Sequence, residues 1–122
     1  MAERISDAEY AVMEQLWRAA PLTANQVADA MAETRSWSVQ TVKTLLARLV
    51  AKGALATQAD GRRFLYSPLI EREVYRVDAT RRLVDRLFGG RISPLVAQFA
   101  DAENLSDADI AELKALIERL EK

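Results

Sequence analysis

The sequence predicts a mainly α-helical chain that carries one small β-hairpin. Two observations point there. An apolar residue, a Ser or Thr, and a second apolar residue five positions after the first recur at Ile5-Ser6…Tyr10, Leu22-Thr23…Val27, Trp37-Ser38…Val42 and Leu105-Ser106…Ile110. The hydroxyl caps unpaired helix amides and the apolar pair packs across the first turn, so each pattern marks a helix start. After Gly53 the apolar period shortens to two on either side of Asp60-Gly61, which signals a hairpin. With 122 residues, 50% hydrophobic and 29% charged, the chain has material for one core and a small appended module.

The first helix is expected from Asp7 to Ala19, turning Tyr10, Met13, Leu16 and Trp17 inward at spacings of three or four. Glu9 completes a capping box with Ser6, as Gln26 does with Thr23. Thr41 does not complete one with Ser38, and Asp109 only approximates one with Ser106. Pro21 and Leu22 make a short extended link to a second helix over Ala24 to Thr34, with Val27, Ala30 and Met31 inward. The third helix begins after Ser38 and stops at Gly53, which tolerates the left-handed terminating conformation. Leu55, Thr57 and Ala59 then lead into Asp60-Gly61, and Phe64 and Tyr66 return on one face before Pro68. Three helices followed by such a hairpin make a winged helix-turn-helix.

Beyond Pro68 the helical period resumes. Ile70, Val74, Val77, Val84 and Phe88 follow a four-three alternation, broken where Arg81 takes an apolar place, and Gly89-Gly90 ends it. Ser93-Pro94 reads as a cap and first-turn proline for a short helix carrying Leu95, Val96 and Phe99. Ser106 opens the last helix, whose stripe is Ile110, Leu113, Leu116, Ile117 and Leu120.

Composition removes whole classes of chemistry. The chain has no cysteine and no histidine, which excludes disulfides, zinc fingers, thiolate sensors and imidazole catalysis. Nothing collects carboxylates or a Ser/Lys pair, so no enzyme activity, metal or cofactor is expected. No apolar run has membrane-span length, since Thr44 to Ala51 is broken by Arg48, and the acidic, polar start from Met1 to Asp7 is unlike a secretory signal. A cytoplasmic protein without membrane insertion is the expectation.

The net charge of −1 conceals a polarised distribution. Between Arg35 and Arg63 the charged residues are Arg35, Lys43, Arg48, Lys52, Asp60, Arg62 and Arg63, whereas acids dominate from Asp101 onward. A local basic segment can bind nucleic acid whatever the total charge. At 100° per residue, Val42, Leu45, Leu46 and Leu49 share one face of the third helix. Gln40, Thr44, Ala47 and Ala51 lie opposite, flanked by Thr41, Lys43, Arg48 and Lys52. Small and hydrogen-bonding residues with marginal cations suit a helix in the major groove of double-stranded DNA; a solvated helix face is the plainer reading. Arg62 and Arg63, directly after the Asp60-Gly61 turn, add a basic wing. The candidate DNA contacts are Ser38, Gln40, Thr41, Lys43, Thr44, Arg48, Arg62 and Arg63. Trp37 either stacks on the DNA backbone or staples against Val42. The competing class is a winged helix used as a protein-interaction module. A third alternative is an anionic ligand pocket lined by Arg76, Arg81, Arg82 and Arg86.

These residues resemble the penicillinase-repressor family of the BlaI/MecI type. The resemblance rests on Ile5-Ser6-Asp7-Ala8-Glu9, Val12-Met13 and Leu16-Trp17; on Trp37-Ser38 with Thr41 to Leu46, Arg48-Leu49 and Lys52-Gly53-Ala54-Leu55; and on Gly61-Arg62, Phe64 and Tyr66-Ser67-Pro68. It implies a transcriptional repressor that binds a dyad-symmetric operator as a homodimer. A winged-helix DNA-binding domain over residues 1–70 would precede a helical dimerisation region over residues 71–122. The apolar stripe agrees, because on a chain this short it needs a partner surface. The residues expected at the dimer contact are Phe88, Leu95, Val96, Phe99, Ile110, Leu113, Leu116, Ile117 and Leu120. The resemblance also implies derepression by a regulatory protease at an Asn-Phe bond, for which the nearest match is Gln98-Phe99. Gln40 stands where β-lactam-linked relatives often carry Lys, so the resemblance does not fix the operator sequence. The cysteine cluster of the copper-responsive branch is absent.

Overall fold

The computed structural model describes residues 4–121. In chain order the elements are α1 (Asp7–Ala19), α2 (Ala24–Ala30), α3 (Val39–Ala51), β1 (Leu55–Asp60), β2 (Arg63–Pro68), α4 (Arg72–Phe88), α5 (Ser93–Asp101) and α6 (Asp107–Leu120). The chain divides into two compact units between Tyr75 and Arg76, inside α4. The mainly α architecture with one antiparallel hairpin is as the sequence predicts.

The first unit is built on a core of Val12, Met13 and Leu16 from α1, Ala24, Val27 and Ala28 from α2, and Val42, Leu45, Leu46 and Leu49 from α3, closed by Met31, Ala54 and Leu55. Each fully buried aliphatic side chain contributes roughly 1.5–3 kcal/mol, so this cluster holds α3 onto α1 and α2. Tyr10 and Trp17, expected in the core, are only partly buried. They form an aromatic group with Tyr75 at centroid distances of 5.6–5.9 Å, and the Trp17 Nε1–H donates to the Ile70 carbonyl at 2.9 Å. The indole needs a polar partner, which draws it to the edge while Val12 takes the interior.

The second helix stops at Ala30, short of the expected Thr34, because a turn follows it. Ala28 and not Ala30 faces the core. Ser6, Thr23 and Ser106 each make a complete capping box, so Asp109 reaches back to the Ser106 amide after all. Ser93 is not the cap of α5: Ile92 occupies that position, Ser93 is already helical and Pro94 lies in the first turn.

α3 ends in a two-bond cap. Gly53, at φ +78°, donates to the Val50 carbonyl, and Ala54 donates to Leu49, satisfying carbonyls the helix would leave unpaired. β1 and β2 pair antiparallel from Leu55↔Pro68 to Asp60↔Arg63, and Leu22 bridges to Tyr66 through both of its backbone groups. This register makes Gly61-Arg62, and not Asp60-Gly61, the central pair of the turn. Gly61 at φ +65° takes the first central position, as a type II′ turn requires.

The second unit packs differently. Val84 is its buried apolar residue among those described, at 5% exposed, while Val77, Leu83, Leu87 and Ile92 are exposed. Val74, at the base of α4 in the first unit, is also exposed.

Candidate nucleic-acid interface

The apolar face of α3 is sealed by the core, so its other face is fixed outward. Gln40, Thr41, Lys43, Thr44, Ala47 and Arg48 are all exposed there, as is Ser38 at the cap. The hydroxyls are partly committed. Ser38 Oγ accepts the Thr41 amide and donates to Thr41 Oγ1, both at 3.1 Å. Thr44 Oγ1 donates to the Gln40 carbonyl at 3.1 Å, which leaves its oxygen free to accept. The Gln40 carboxamide, the Lys43 ammonium and the Arg48 guanidinium have no protein partner among the described residues. The face therefore presents one bidentate hydrogen-bonding group between two unpaired cations.

The two wing arginines differ. Arg62 sits in the turn itself, exposed and without a partner among the described residues. Arg63 opens β2 opposite Asp60 and holds its Oδ2 through Nε and Nη2, each at 3.0 Å. The pair is exposed, so it adds at most about 1 kcal/mol to stability, but it offsets the Arg63 charge. Phe64, half exposed, lies on the same strand face as Tyr66.

Two other cations of the basic segment are engaged elsewhere. The Arg35 guanidinium lies 5.0 Å from the centroid of the Trp37 ring, and Trp37 itself packs on the core. Lys52, expected at the margin of the outward face, turns away from it. Its Nζ donates to Glu9 Oε1 at 2.6 Å and to the Arg4 carbonyl at 2.8 Å. The Glu9 side chain is 2% exposed, and the same oxygen accepts the Ser6 amide at 2.9 Å. Burial alone would raise the Glu9 carboxyl pKa. The hydrogen bonds from Lys52 and Ser6 and the Lys52 charge outweigh it, and the carboxyl is held below its usual value. The local sequence pattern marks Glu9 only as a capping residue, since its ion-pair partner lies 43 positions away.

In the second unit, Phe88, Leu95, Val96 and Leu113 are partly buried. Phe99, Ile110, Leu116, Ile117 and Leu120 are exposed. Leu95, Val96, Phe99, Leu105, Leu113 and Leu116, with Asp109 and Glu112, line a shallow groove of about 330 Å³ between α5 and α6. The Gln98-Phe99 bond lies inside α5, where the Gln98 carbonyl accepts the Ala102 amide. Among the described residues, no group of acidic side chains is placed to hold a metal and no helix is long and apolar enough to cross a membrane.

Residues 5–119 match the penicillinase repressor family. The chain is 34% identical over 115 residues to the penicillinase repressor of Bacillus licheniformis, covering 94% of this chain and 90% of that one. It is 30% identical over 115 residues to the methicillin resistance regulatory protein MecI of Mammaliicoccus sciuri, covering 94% of each. Among solved structures, the monomeric form of Bacillus licheniformis BlaI in complex with the blaP half-operator superposes with a TM-score of 0.53 at 39% identity, over 62% of this chain and 92% of that one. The capped helices, the outward face of α3 and the wing all fall within a match that runs nearly end to end, and this chain belongs to the penicillinase repressor family.

Proposed function

We propose that this chain is a DNA-binding transcriptional repressor that acts as a homodimer on a dyad-symmetric operator. The observation that carries the reading is a set of groups on one unit that have no partner among the described residues: Gln40, Lys43 and Arg48 on α3 and Arg62 at the wing tip. A carboxamide reads a base edge and cations meet phosphates. The related BlaI, whose structure was solved with a half-operator, supports the same use. In this reading residues 1–70 bind DNA, with Ser38, Thr41 and Thr44 completing the α3 contact and Arg63 a weaker one.

Residues 71–122 then serve dimerisation through Phe88, Leu95, Val96, Phe99, Ile110, Leu113, Leu116, Ile117 and Leu120. The support is that this unit leaves most of its apolar side chains exposed, a state that favours a partner surface. Two recognition helices on a two-fold axis would lie about 34 Å apart or a multiple of it. Cleavage by a regulatory protease at Gln98-Phe99 would relieve repression and requires α5 to unwind first. The protein-interaction alternative is disfavoured by α3 itself, which exposes no large apolar side chain on its outer face.

The test is fluorescence anisotropy on the DNA upstream of the protein's own gene against a scrambled duplex. Preference for the native segment is expected. No binding to either duplex at low salt would overturn the proposal.

A further inference from the structure

We propose that Lys52 and Glu9 are positioning residues for the recognition helix: their part-buried ion pair orients α3 and so sets operator selectivity, without either residue touching DNA. The inference rests on the DNA-binding reading above. Lys52 caps the C-terminus of α3, and Glu9 lies in the first turn of α1 as the returning arm of its capping box. The end of α3, the first turn of α1 and the segment before it meet at this pair. Glu9 Oε1 takes the Lys52 ammonium at 2.6 Å and the Ser6 amide at 2.9 Å, while the same ammonium holds the Arg4 carbonyl at 2.8 Å.

The rest of α3 is held by Val42, Leu45, Leu46 and Leu49 packing on the core. Apolar packing is non-directional and tolerates small rotations and tilts. A short ion pair does not, because moving Lys52 away leaves a carboxylate buried without its counter-charge. The pin stands at one end of the helix and Gln40 at the other, roughly 18 Å away at 1.5 Å per residue. A tilt of about 5° about the pin would move Gln40 by roughly 1.6 Å over that length, enough to break a bidentate contact to a base edge. With its charge offset by Glu9 and its ammonium turned from the outer face, Lys52 is poorly placed to neutralise phosphate.

The experiment measures Kd over a salt series for wild type, Lys52→Met and Glu9→Gln. The two probes are a duplex the wild type enriches from a random-sequence pool and a scrambled duplex. Glu9→Gln is the gentle variant, since a carboxamide oxygen still accepts the Ser6 amide and only the charge is lost. Far-UV circular dichroism at the assay temperature confirms that each variant is folded; should Lys52→Met unfold, Glu9→Gln carries the test. Partial unfolding lowers both affinities together, whereas a misplaced helix lowers their ratio. The expected result is a preference for the enriched duplex reduced about tenfold in Lys52→Met, the scale of one mis-set base contact. A smaller loss is expected in Glu9→Gln, and the salt slope should be unchanged in both. A slope shallower by about one in Lys52→Met would make Lys52 a phosphate ligand and overturn the proposal, as would full preference retained in the folded variants. Failure of the wild type to enrich any duplex would instead overturn the DNA-binding reading, and this proposal with it.

Discussion

Lys52, Arg62 and Arg63 carry the same formal charge, and their surroundings give them different work. Arg62 is unpaired among the described residues, Arg63 is held by Asp60 and Lys52 by Glu9. Arg62→Ala should therefore make the salt slope of DNA binding shallower by about one, and Arg63→Ala by less. Asp60→Asn should do the reverse: freeing Arg63 strengthens binding to the scrambled duplex and steepens the slope, with stability changed by under about 1 kcal/mol. A salt titration of the three variants checks all of these, and equal slopes for the two arginine variants would contradict the distinction. Glu9 makes a different prediction. Its carboxyl is held below the usual value of 4.5, so its charged form stabilises the folded chain. That contribution is present above pH 4.5 and is lost as pH falls through the lower folded value. The urea midpoints of wild type and Glu9→Gln should differ at pH 7 and converge on acidification below 4.5; a gap that widens on acidification would reverse the sign. Residue types alone do not reveal these distinctions. The Asp60–Arg63 pair depends on the hairpin register, and the Lys52–Glu9 pair joins positions 43 apart, beyond the reach of any local pattern.

Where a signal is local, the element it marks was legible. Ser6, Thr23, Ser38 and Ser106 each cap the helix their surroundings predict, because cap, staple and first turn lie within a few residues of one another. Gly53 ends α3 for the same reason. Turns that depend on pairing were less legible: Asp60-Gly61 marks the hairpin, but the register moves the turn centre to Gly61-Arg62. The α5–α6 link shows a further departure that no helix-stop signal announces. Glu103 adopts φ +58° there, with its amide bonded to Ala100 and that of Asn104 to Phe99. This is the same two-bond cap that Gly53 makes, with a side chain at the left-handed position. Left-handed backbone costs a residue other than glycine roughly 1–2 kcal/mol. Glu103→Gly removes the clash but gives back some chain entropy. The variant should slow amide hydrogen exchange at the end of α5 and the start of α6, by an amount corresponding to about 1 kcal/mol or less. Faster exchange there would show that the Glu103 side chain contributes more than its backbone costs.

At the scale of the whole molecule the two units solve the burial problem differently, and the contrast decides what the second one needs. The first encloses a core drawn from three helices and a hairpin. The second buries Val84 and leaves Phe99, Leu116, Ile117 and Leu120 between 44% and 84% exposed. A stripe read from sequence shows that a helix face is apolar; it does not show whether the chain or a partner covers it, and here the described chain does not. The proposed dimer supplies the cover. Leu116 and Ile117 are the positions to test, because exposed side chains can take a charge with little harm to their own unit, whereas at an interface a charge would be buried unpaired. Leu116→Glu with Ile117→Lys should halve the mass measured by sedimentation equilibrium while leaving the thermal unfolding of the first unit, followed in the full chain, unaffected. On DNA the same variant should keep its affinity for a half-site. It should lose the advantage of a full two-fold site, which arises because linking the half-site readers makes the second contact effectively intramolecular and is worth on the order of 10² or more in affinity. A variant that remains a dimer would move the partner surface off α6, toward exposed residues such as Leu83, Leu87 and Ile92. A variant that becomes monomeric yet retains the full-site advantage would separate operator recognition from self-association.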